Sequence, residues 1–268
     1  MTDKYLENAR VVSNRNVAPD FWTLRLAAPH LASIALPGQF VLVQLGDSGR
    51  PLRRPMSIYQ ADANRGEIRL LYQAVGAGTR LMTTWLADRR VSVLGPLGTT
   101  WPILPEARRI LLIGGGIGTA PLAMLAQQLQ INPGIQVTMI QAAQSAERLV
   151  GRDFFEPLVD TWICATDDGS AGVKGLVTVP LEDKLSSEEF DVAYVCGPEV
   201  MLVATAAICA RHKLKCYVSL ERRMACGLGA CLGCVITTKT GLQKVCQTGP
   251  VFDAEEVCWD ENIASRVH

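Results

Sequence analysis

Short apolar runs, each about the length of a β-strand, recur through the first hundred residues of the chain. They span residues 21–26, 40–45, 56–59, 68–73 and 91–94. Stretches rich in glycine, proline and aspartate separate these runs, and regular strand spacing with turn signals is typical of a barrel or a sandwich. The sequence GPLG over residues 95–98 ends the pattern. We therefore predict an all-β domain over residues 1–100.

The pattern changes near residue 107, where apolar strand-like runs begin to alternate with helical segments. Strands are predicted at 110–113, 137–141, 161–165 and 191–196, and helices at 120–130, 146–158 and 199–213. Such alternation indicates a parallel sheet with helices on its faces. We assign residues 101–217 to this α/β domain. Residues 218–268 are rich in cysteine and glycine and form a predicted third, small domain.

Charge and hydropathy exclude several classes of protein. Lysine plus arginine and aspartate plus glutamate both number 26, so the chain lacks the basic excess that binds nucleic acid or an anionic membrane. The uncharged stretch 110–130 is interrupted by four glycines and a proline, which disfavours a membrane helix. The amino-terminal sequence MTDKYLENAR has no apolar signal core, so we expect a cytoplasmic protein with no nucleic-acid or membrane partner.

Four cysteines near the carboxyl terminus form the strongest motif. Cys226, Cys231 and Cys234 follow the spacing C-x4-C-x2-C, and Cys246 comes after a further eleven residues. This spacing matches the plant-type [2Fe–2S] pattern, in which four thiolates hold the cluster. The intervening glycines carry no Cβ and let backbone N–H groups approach the sulfurs. We predict a [2Fe–2S] cluster bound by these four cysteines.

Two alternatives to this assignment stay open. A zinc ribbon would use two C-x2-C pairs, and the sequence has one such pair. Cys258 could replace Cys246 as the fourth ligand, although glycines at 241 and 249 favour a hairpin that returns Cys246 to the loop. The cysteines outside the predicted cluster are expected to be ordinary buried residues: Cys164, Cys196, Cys209, Cys216 and Cys258.

A glycine-rich turn follows the first predicted strand of the α/β domain. In ILLIGGGIGTAP, over 110–121, small residues lie between a buried strand and a helix start, where backbone N–H groups can face a phosphate. A second strand–helix turn, CGPE over 196–199, lies at the same edge of the predicted sheet. No acidic residue ends the next strand to hold a ribose, so these motifs do not distinguish NAD from NADP. The residues predicted to bind NAD are Gly116, Gly118, Thr119, Gly197 and Pro198.

Two further motifs lie in the β domain. The sequence RRPMS over 53–57 places two cations and a hydroxyl at the start of a strand, where an arginine could bind a pyrophosphate. The sequence VGAGT over 75–79 gives a second candidate phosphate-binding turn. Each motif alone is weak, because paired arginines are commonly solvated and strand aromatics commonly belong to the core.

The order of these motifs resembles the ferredoxin–NADP reductase superfamily: RPMS in a barrel, then GGGIGTAPL, then CGP. The carboxyl-terminal sequences SLERRMAC over 219–226 and VCQTGPVF over 245–252 resemble its dihydroorotate dehydrogenase B electron transfer subunits, essentially along the whole chain. The resemblance implies an antiparallel β-barrel that binds FAD, a parallel α/β domain that binds NAD, and a small [2Fe–2S] domain. The residues that it assigns to FAD are Arg54, Pro55, Met56, Ser57, Leu71, Tyr72, Gln73, Gly78 and Thr79.

The resemblance also implies a function. An FMN-containing dihydroorotate dehydrogenase catalytic subunit would supply electrons, which would pass through the [2Fe–2S] cluster and FAD to NAD+ in pyrimidine (UMP) biosynthesis. The implied assembly is a heterotetramer of two of each chain. A flavin belongs between the other two centres because it exchanges electrons singly or in pairs, while the protein supplies position and potential. The sequence offers no acid–base pair or catalytic triad, so we predict no catalytic residue.

Two other functions stay open at this point. One is a flavin and iron–sulfur NAD(P)H reductase subunit of a ferredoxin:NADP oxidoreductase or hydrogenase-type complex, which the sequence over 221–226 together with Arg53 and Arg54 disfavours. The other is a zinc-binding interaction module. Glu221 and Arg222 either line the junction between flavin and cluster or form a plain surface salt bridge.

Overall fold

The computed structural model describes residues 4–46 and 49–260, and its first six strands close an antiparallel barrel. The elements of this part are β1 (Tyr5–Ala18), β2 (Phe21–Ala27), α1 (Pro29–Ile34), β3 (Phe40–Val43), β4 (Arg54–Asp62), β5 (Glu67–Gln73), α2 (Ala77–Met82) and β6 (Arg90–Leu97). The strands follow one another around the barrel in the order β1, β2, β5, β4, β3, β6, and β6 pairs again with β1. The barrel predicted from the sequence and its resemblance is thereby confirmed.

Strand β1 is the part of the barrel that the apolar pattern does not predict. Of its fourteen residues, Ala9 and Val11 are buried and the others are exposed or half-buried. Its position is fixed by hydrogen bonding along both edges, to β2 on one side and to β6 on the other. Barrel closure therefore stabilises a strand whose own side chains carry little of the hydrophobic signal.

The second part of the chain forms a seven-stranded sheet with helices on its faces. Its elements are β7 (Arg109–Gly115), α3 (Ala123–Gln130), β8 (Gln136–Ala143), α4 (Arg152–Phe155), β9 (Thr161–Thr166), β10 (Val173–Lys174), α5 (Thr178–Ser187), β11 (Val192–Cys196), α6 (Glu199–Arg211) and β12 (Lys215–Ser219), with β15 (Val251–Asp253) from the carboxyl-terminal part. The order is β10, β9, β8, β7, β11, β12, β15. All neighbours pair in parallel except β12 and β15, which are antiparallel.

This strand order places a crevice beside β7. From β7 the chain first builds outward through β8 and β9, and it then returns to place β11 on the other side of β7. In an open parallel sheet, ligands bind at the carboxyl ends of the strands where the order reverses in this way. The turn after β7 and the turn after β11 both lie at that point, as the sequence predicts.

Two helices differ from the sequence prediction. The predicted helix 120–130 begins as a tighter 3-10 helix over Gly116–Leu122 and becomes α-helical at Ala123. The predicted helix 146–158 is broken into a 3-10 turn at Ala146–Arg148, the single turn of α4, and another 3-10 turn at Glu156–Leu158. Gly151 explains the break, because its φ of 82° is left-handed and cannot continue a helix.

The carboxyl-terminal part joins both preceding parts. It contains a hairpin of β13 (Val235–Thr238) and β14 (Gly241–Lys244), and β15 then rejoins the α/β sheet. Near β15 the backbones approach closely: Thr99 N–H donates to the Gly249 carbonyl at 2.6 Å, and a Cβ at Gly98 would lie 2.5 Å from Pro250 Cδ. The predicted boundaries at residues 100 and 217 remain predictions, and these contacts show that the carboxyl-terminal part packs against the end of the barrel. The predicted third domain also includes residues 261–268, which lie outside the described residues.

Candidate functional site

A cleft of about 1110 Å³ opens where the barrel, the carboxyl edge of the sheet and the cysteine-rich segment meet. This volume lies slightly above the usual range of small-molecule sites, roughly 300–1,000 Å³, and suits a large cofactor. The residues that line it are Phe40, Leu52, Arg53, Arg54, Pro55, Met56, Ser57, Leu71, Tyr72, Gln73, Val75, Thr79, Ile117, Ala120, Cys196, Ser219, Leu220, Glu221, Arg222, Arg223, Met224, Gly233, Val235 and Pro250. Eight of the nine residues predicted to bind FAD are among them.

The barrel wall of the cleft is built from β4 and β5. Met56 and Leu71 are buried and give the wall an apolar base, whereas Ser57 is half-buried at the cleft surface. The Tyr72 hydroxyl donates to Asn14 Oδ1 at 3.1 Å, and burial raises the pKa of Tyr72 to about 12. Because its hydroxyl is engaged inside the barrel, Tyr72 meets the cleft with its ring and backbone and stays neutral.

The two adjacent arginines have different roles in the structure. The Arg53 guanidinium donates to the carbonyls of Leu42 and Ser92, to Ser92 Oγ and to Gln44 Oε1. These bonds tie the loop before β4 to β3 and β6. Among the described residues, the Arg54 guanidinium donates to the backbone carbonyls of Leu52 and Arg53 alone, and it borders the cleft. Arg53 is therefore a structural residue, and Arg54 is the better candidate for binding an anion.

The predicted turn at 75–79 forms the first turn of α2 and borders a smaller recess of about 490 Å³ next to Arg54. Gly78, the ninth predicted FAD residue, lines this recess rather than the main cleft. A Cβ at Gly78 would lie 2.7 Å from Arg54 Nε, so glycine permits the arginine to cross the turn. The Thr79 hydroxyl accepts from Gly76 N–H at 3.1 Å and thereby closes the turn. The structure thus brings the two predicted barrel motifs together.

The glycine turn after β7 packs directly against the turn after β11. A Cβ at Gly118 would lie 2.5 Å from Gly197 Cα and from the Cys196 carbonyl oxygen, so the backbones touch. Thr119 is fully buried, and its hydroxyl donates to the Gly116 carbonyl at 3.0 Å. Gly118 and Thr119 thus shape the turn from inside, while Gly116, Gly197 and Pro198 stay accessible at the sheet edge.

The strand after the glycine turn, β8, ends in Gln141-Ala-Ala, and the Gln141 side chain is hydrogen-bonded inside the protein. Its Nε2 donates to the Val150 carbonyl at 2.6 Å, and its Oε1 accepts from Trp162 Nε1 at 3.3 Å. Carboxylates reach this edge from the neighbouring strand instead, since Asp167 N–H donates to the Ala143 carbonyl at 3.1 Å. Asp167 and Asp168 come shortly after the predicted strand 161–165, which is a sequence signal for carboxylates at this edge. The signal can be interpreted only once β9 is known to lie beside β8.

The four motif cysteines lie together in two pairs. The side chains of Cys226 and Cys231 lie close enough to interact, and so do those of Cys234 and Cys246; Cys226 also acts on the pKa of Cys246. Four cysteines gathered in two pairs suit a [2Fe–2S] cluster, in which thiolates hold two irons.

Backbone N–H groups surround these sulfurs. Burial raises the pKa of the Cys226 thiol, but backbone donors from residues 228, 230 and 231 together with the Cys231 thiol outweigh this effect and lower that pKa to about 6. Leu228 N–H lies 3.3 Å from the Cys226 sulfur, and Cys246 N–H lies 3.5 Å from the Cys234 sulfur. Burial raises the pKa of the Cys246 thiol, the neighbouring Cys234 raises it further, and the pKa reaches about 11. The loop therefore offers thiolate-stabilising donors before any metal binds.

The cysteine loop is seated on the barrel beside the cleft. Gly227 has a φ of 68°, and a Cβ there would lie 2.4 Å from Leu42 Cδ1, so glycine is required for this contact. Gly233 and Val235, the two neighbours of Cys234, line the cleft. Cys231 is exposed on the outer surface of the loop. The loop thus has one side on the cleft and one side on solvent.

The other five cysteines are more varied than expected. Cys196 is buried but borders the floor of the cleft, and burial raises the pKa of its thiol. Cys209 and Cys216 are buried in contact between α6 and β12, and Cys164 is buried in β9. Cys258 is half-buried, and its N–H donates to the Thr237 carbonyl. The expectation of ordinary buried residues is thus incomplete at Cys196 and Cys258.

Sequence reasoning missed most of the cleft wall that residues 220–224 provide. Leu220, Arg223 and Met224 line the cleft because β12 and β15 deliver this segment to it, with Leu220 N–H bonded to the Pro250 carbonyl at 2.9 Å. Glu221 and Arg222 also line it, and the Arg222 guanidinium pairs with the Glu199 carboxylate and donates to the Glu221 carbonyl. Arg222 therefore lies at the cleft, and the alternative of a plain surface salt bridge is wrong for it, because its ion pair is buried.

Comparison with protein families identifies two segments. A family model described as the iron–sulfur cluster binding domain of dihydroorotate dehydrogenase B matches residues 221–258. A model of the oxidoreductase NAD-binding domain matches residues 112–207. The first contains all four motif cysteines, and the second contains both glycine turns.

Whole-chain relatives agree with these matches. The chain is 41% identical to the dihydroorotate dehydrogenase B (NAD(+)) electron transfer subunit of Geobacillus thermodenitrificans, with 94% of this chain and 98% of the relative covered. It is 34% identical to the subunit of the same name from Desulforamulus reducens, with the same coverage. Among solved structures, a chain of the NADH-dependent reduced ferredoxin-NADP oxidoreductase superposes with a TM-score of 0.88 at 30% identity, covering 96% of this chain and 92% of that one.

The thiol pairing predicts which cysteine is the fourth cluster ligand. Cys246→Ser is expected to remove most of the iron and acid-labile sulfide from the purified protein, because it breaks the Cys234–Cys246 pair. Cys258→Ser, the matched control, is expected to retain both. Iron and sulfide assays per chain measure this directly, and loss of iron from the Cys258 variant with retention in the Cys246 variant would contradict the assignment.

The different bonding of the two arginines predicts different losses. Arg54→Gln is expected to lower the FAD bound per chain after gel filtration while leaving the urea stability of the FAD-free protein unchanged. Arg53→Gln removes several hydrogen bonds from a charged donor. It is expected to lower the free energy of unfolding of the FAD-free protein, measured in urea, by about 2 kcal/mol. Full FAD retention by the Arg54 variant would show that another group binds the cofactor.

Proposed function

The chain belongs to the family of dihydroorotate dehydrogenase B (NAD(+)) electron transfer subunits, and from this premise we propose that it carries electrons from an FMN-containing dihydroorotate dehydrogenase catalytic subunit to NAD+. The observation that carries the proposal is the meeting of the cysteine loop, the barrel motif and the strand-end turns around one cleft. Such a subunit serves pyrimidine biosynthesis, and its cofactors are FAD and a [2Fe–2S] cluster.

The barrel residues suit FAD. When bound, FAD supplies the chemistry that interconverts one-electron and hydride transfer. Arg54 offers a cation with free donors for the pyrophosphate, next to the recess at Gly78. Ser57 and the backbone of β4 and β5 provide a polar edge over an apolar base, which suits a flat heteroaromatic ring. The residues present therefore fit the cofactor.

The two turns at the sheet edge suit NAD. Their small residues leave the carboxyl ends of β7 and β11 open, and Gly116 and Gly197 present backbone there. Cys196 and Ile117 join these turns to the floor of the cleft. A nicotinamide that follows this path would reach the same space as the flavin ring, so a dinucleotide could deliver or accept a hydride there.

The exposed side of the cysteine loop suits a partner protein. Leu228 and Leu232 are 45% and 60% exposed, and they lie on either side of Cys231. Leu232 adopts a φ of 58°, a conformation that costs a non-glycine residue about 1 kcal/mol. An exposed apolar patch around a redox loop is typical of a protein interface. We propose that the FMN-containing subunit docks here, in a heterotetramer of two of each chain.

The proposed location is the cytoplasm. All nine cysteines are free thiols in the structure, which suits a reducing compartment. Within residues 4–46 and 49–260, no helix has the length and apolar character needed to cross a bilayer.

The reductase alternative is not favoured. The chain is 41% identical to the named dihydroorotate dehydrogenase B subunit but 30% identical to the ferredoxin-NADP oxidoreductase chain. The family model that matches the cysteine-rich part is also described as the iron–sulfur domain of dihydroorotate dehydrogenase B. The same match disfavours a zinc-binding module.

A cluster-ligand variant tests the proposed direction of electron flow. In the complex with the catalytic subunit, Cys231→Ser is expected to abolish the reduction of NAD+ by dihydroorotate, because the cluster lies between partner and flavin. Reduction of a dye by NADH, which needs only the flavin and the nucleotide site, is expected to persist. Survival of both activities would show that the cluster is not on the path.

Charge placed on the exposed loop tests the docking surface. Leu232→Glu is expected to weaken association with the catalytic subunit by at least tenfold, since it puts a carboxylate into a desolvated contact. Ile131→Glu is the control, because Ile131 is 77% exposed but lies near the start of β8, at the opposite edge of the sheet. Analytical ultracentrifugation measures both, and equal weakening by the two variants would argue against this site.

A further inference from the structure

An ion pair that is almost completely removed from solvent forms part of the cleft wall. Arg222 Nη2 donates to Glu199 Oε1 at 3.0 Å, and the two side chains are 10% and 11% exposed. Arg222 lines the cleft, whereas Glu199 stands behind it as the first residue of α6. The cation therefore lies between the carboxylate and the cleft.

Burial makes this pair electrostatically strong. Two charges in a medium of low effective dielectric interact with surrounding groups far more strongly than they would in water, and salt screens them little. While both charges are present they largely cancel at a distance. Removing one would leave an uncompensated charge beside the cleft, so the field in the cleft depends on the balance between the two residues.

The other charged groups at the cleft are differently placed. Arg53 is fixed to the barrel backbone, and Arg54 lies at the far wall beside the recess for the predicted pyrophosphate. Glu221 and Arg223 are exposed, so water and salt weaken their fields. The Arg222–Glu199 pair is thus the charged group on the sheet side of the cleft that is most shielded from solvent.

Reduction of a bound flavin by NADH adds negative charge to the cleft. A hydride carries two electrons and one proton, and NADH leaves as NAD+, so each transfer brings one negative charge into the cleft. A nearby cation stabilises this charge, and a carboxylate behind the cation moderates the effect.

We propose that Arg222 stabilises the negative charge gained by the bound flavin on reduction, and that Glu199 is a positioning residue that holds Arg222 and sets how much of its charge the cleft receives. The inference rests on the proposed function, because it requires FAD in the cleft. The pair formed by Arg222 at the cleft and Glu199 at the start of α6 would thus tune the reduction potential of the flavin.

The test measures the flavin potential in the purified holoprotein against reference dyes, without oxygen. Arg222→Gln leaves Glu199 uncompensated and is expected to lower the ratio of reduced to oxidised flavin at fixed potential by about tenfold, which is about 30 mV for a two-electron couple. Glu199→Gln is expected to raise the same ratio by a similar factor. The double variant, which removes both charges, is expected to lie between them, close to wild type.

Opposite signs separate this role from a structural one. A pair that only held the fold together would shift the potential in the same direction in both single variants, or would release FAD from both. Arg222→Lys keeps the charge and is expected to keep the wild-type potential, which preserves the test should Arg222→Gln fail to fold. The control is Glu182→Gln, which breaks an exposed ion pair with Arg211 at the other end of α6 and is expected to change nothing.

The outcomes distinguish the two proposals. Wild-type protein that binds no flavin, or whose flavin NADH does not reduce, would overturn the proposed function and this inference with it. If the wild-type protein binds flavin and NADH reduces it, the variants then decide whether the Arg222–Glu199 pair tunes the flavin potential. Shifts of equal sign in Arg222→Gln and Glu199→Gln, or shifts no larger than that of Glu182→Gln, would overturn the inference alone.

Discussion

The close packing of the cysteine loop against the barrel is the constraint on which the rest of the structure depends. Gly227 fits against Leu42 with no space for a side chain, and Gly98 meets Pro250 in the same way on the neighbouring stretch. These contacts hold the thiols beside the cleft rather than on a separate, loosely attached domain. Electron transfer between bound groups requires such fixed proximity, and here it is built into the packing of the backbone.

Much of this arrangement could be predicted from the sequence, for clear physical reasons. Buried parallel strands such as β7 and β11 have continuous apolar sequences, and the glycine turns that follow them are easily recognised at the end of those sequences. The cysteine spacing is equally local, since three of the four thiols lie within nine residues. Features that depend on a short stretch of chain were therefore found.

The features that were missed depend on contacts between distant segments. β1 is held by its two neighbours and not by its own hydrophobicity. The return of β15 to the sheet, which brings residues 220–224 to the cleft, leaves no periodic signal in a three-residue strand. Arg53 and Arg54 are adjacent in sequence, yet one is bonded to the barrel backbone and the other faces the cleft. Each of these features needs at least one distant partner: β6 for β1, β12 for β15, and Ser92 for Arg53.

The central claim is that the cysteine loop and the cleft place a cluster and a flavin in direct electronic contact within this single chain. The most direct measurement is anaerobic titration of the isolated protein with NADH, followed by paramagnetic resonance. The account predicts that NADH alone, without any partner, produces the signal of a reduced [2Fe–2S] cluster as the flavin absorbance bleaches. Bleaching of the flavin with a silent cluster that dithionite can still reduce would contradict it.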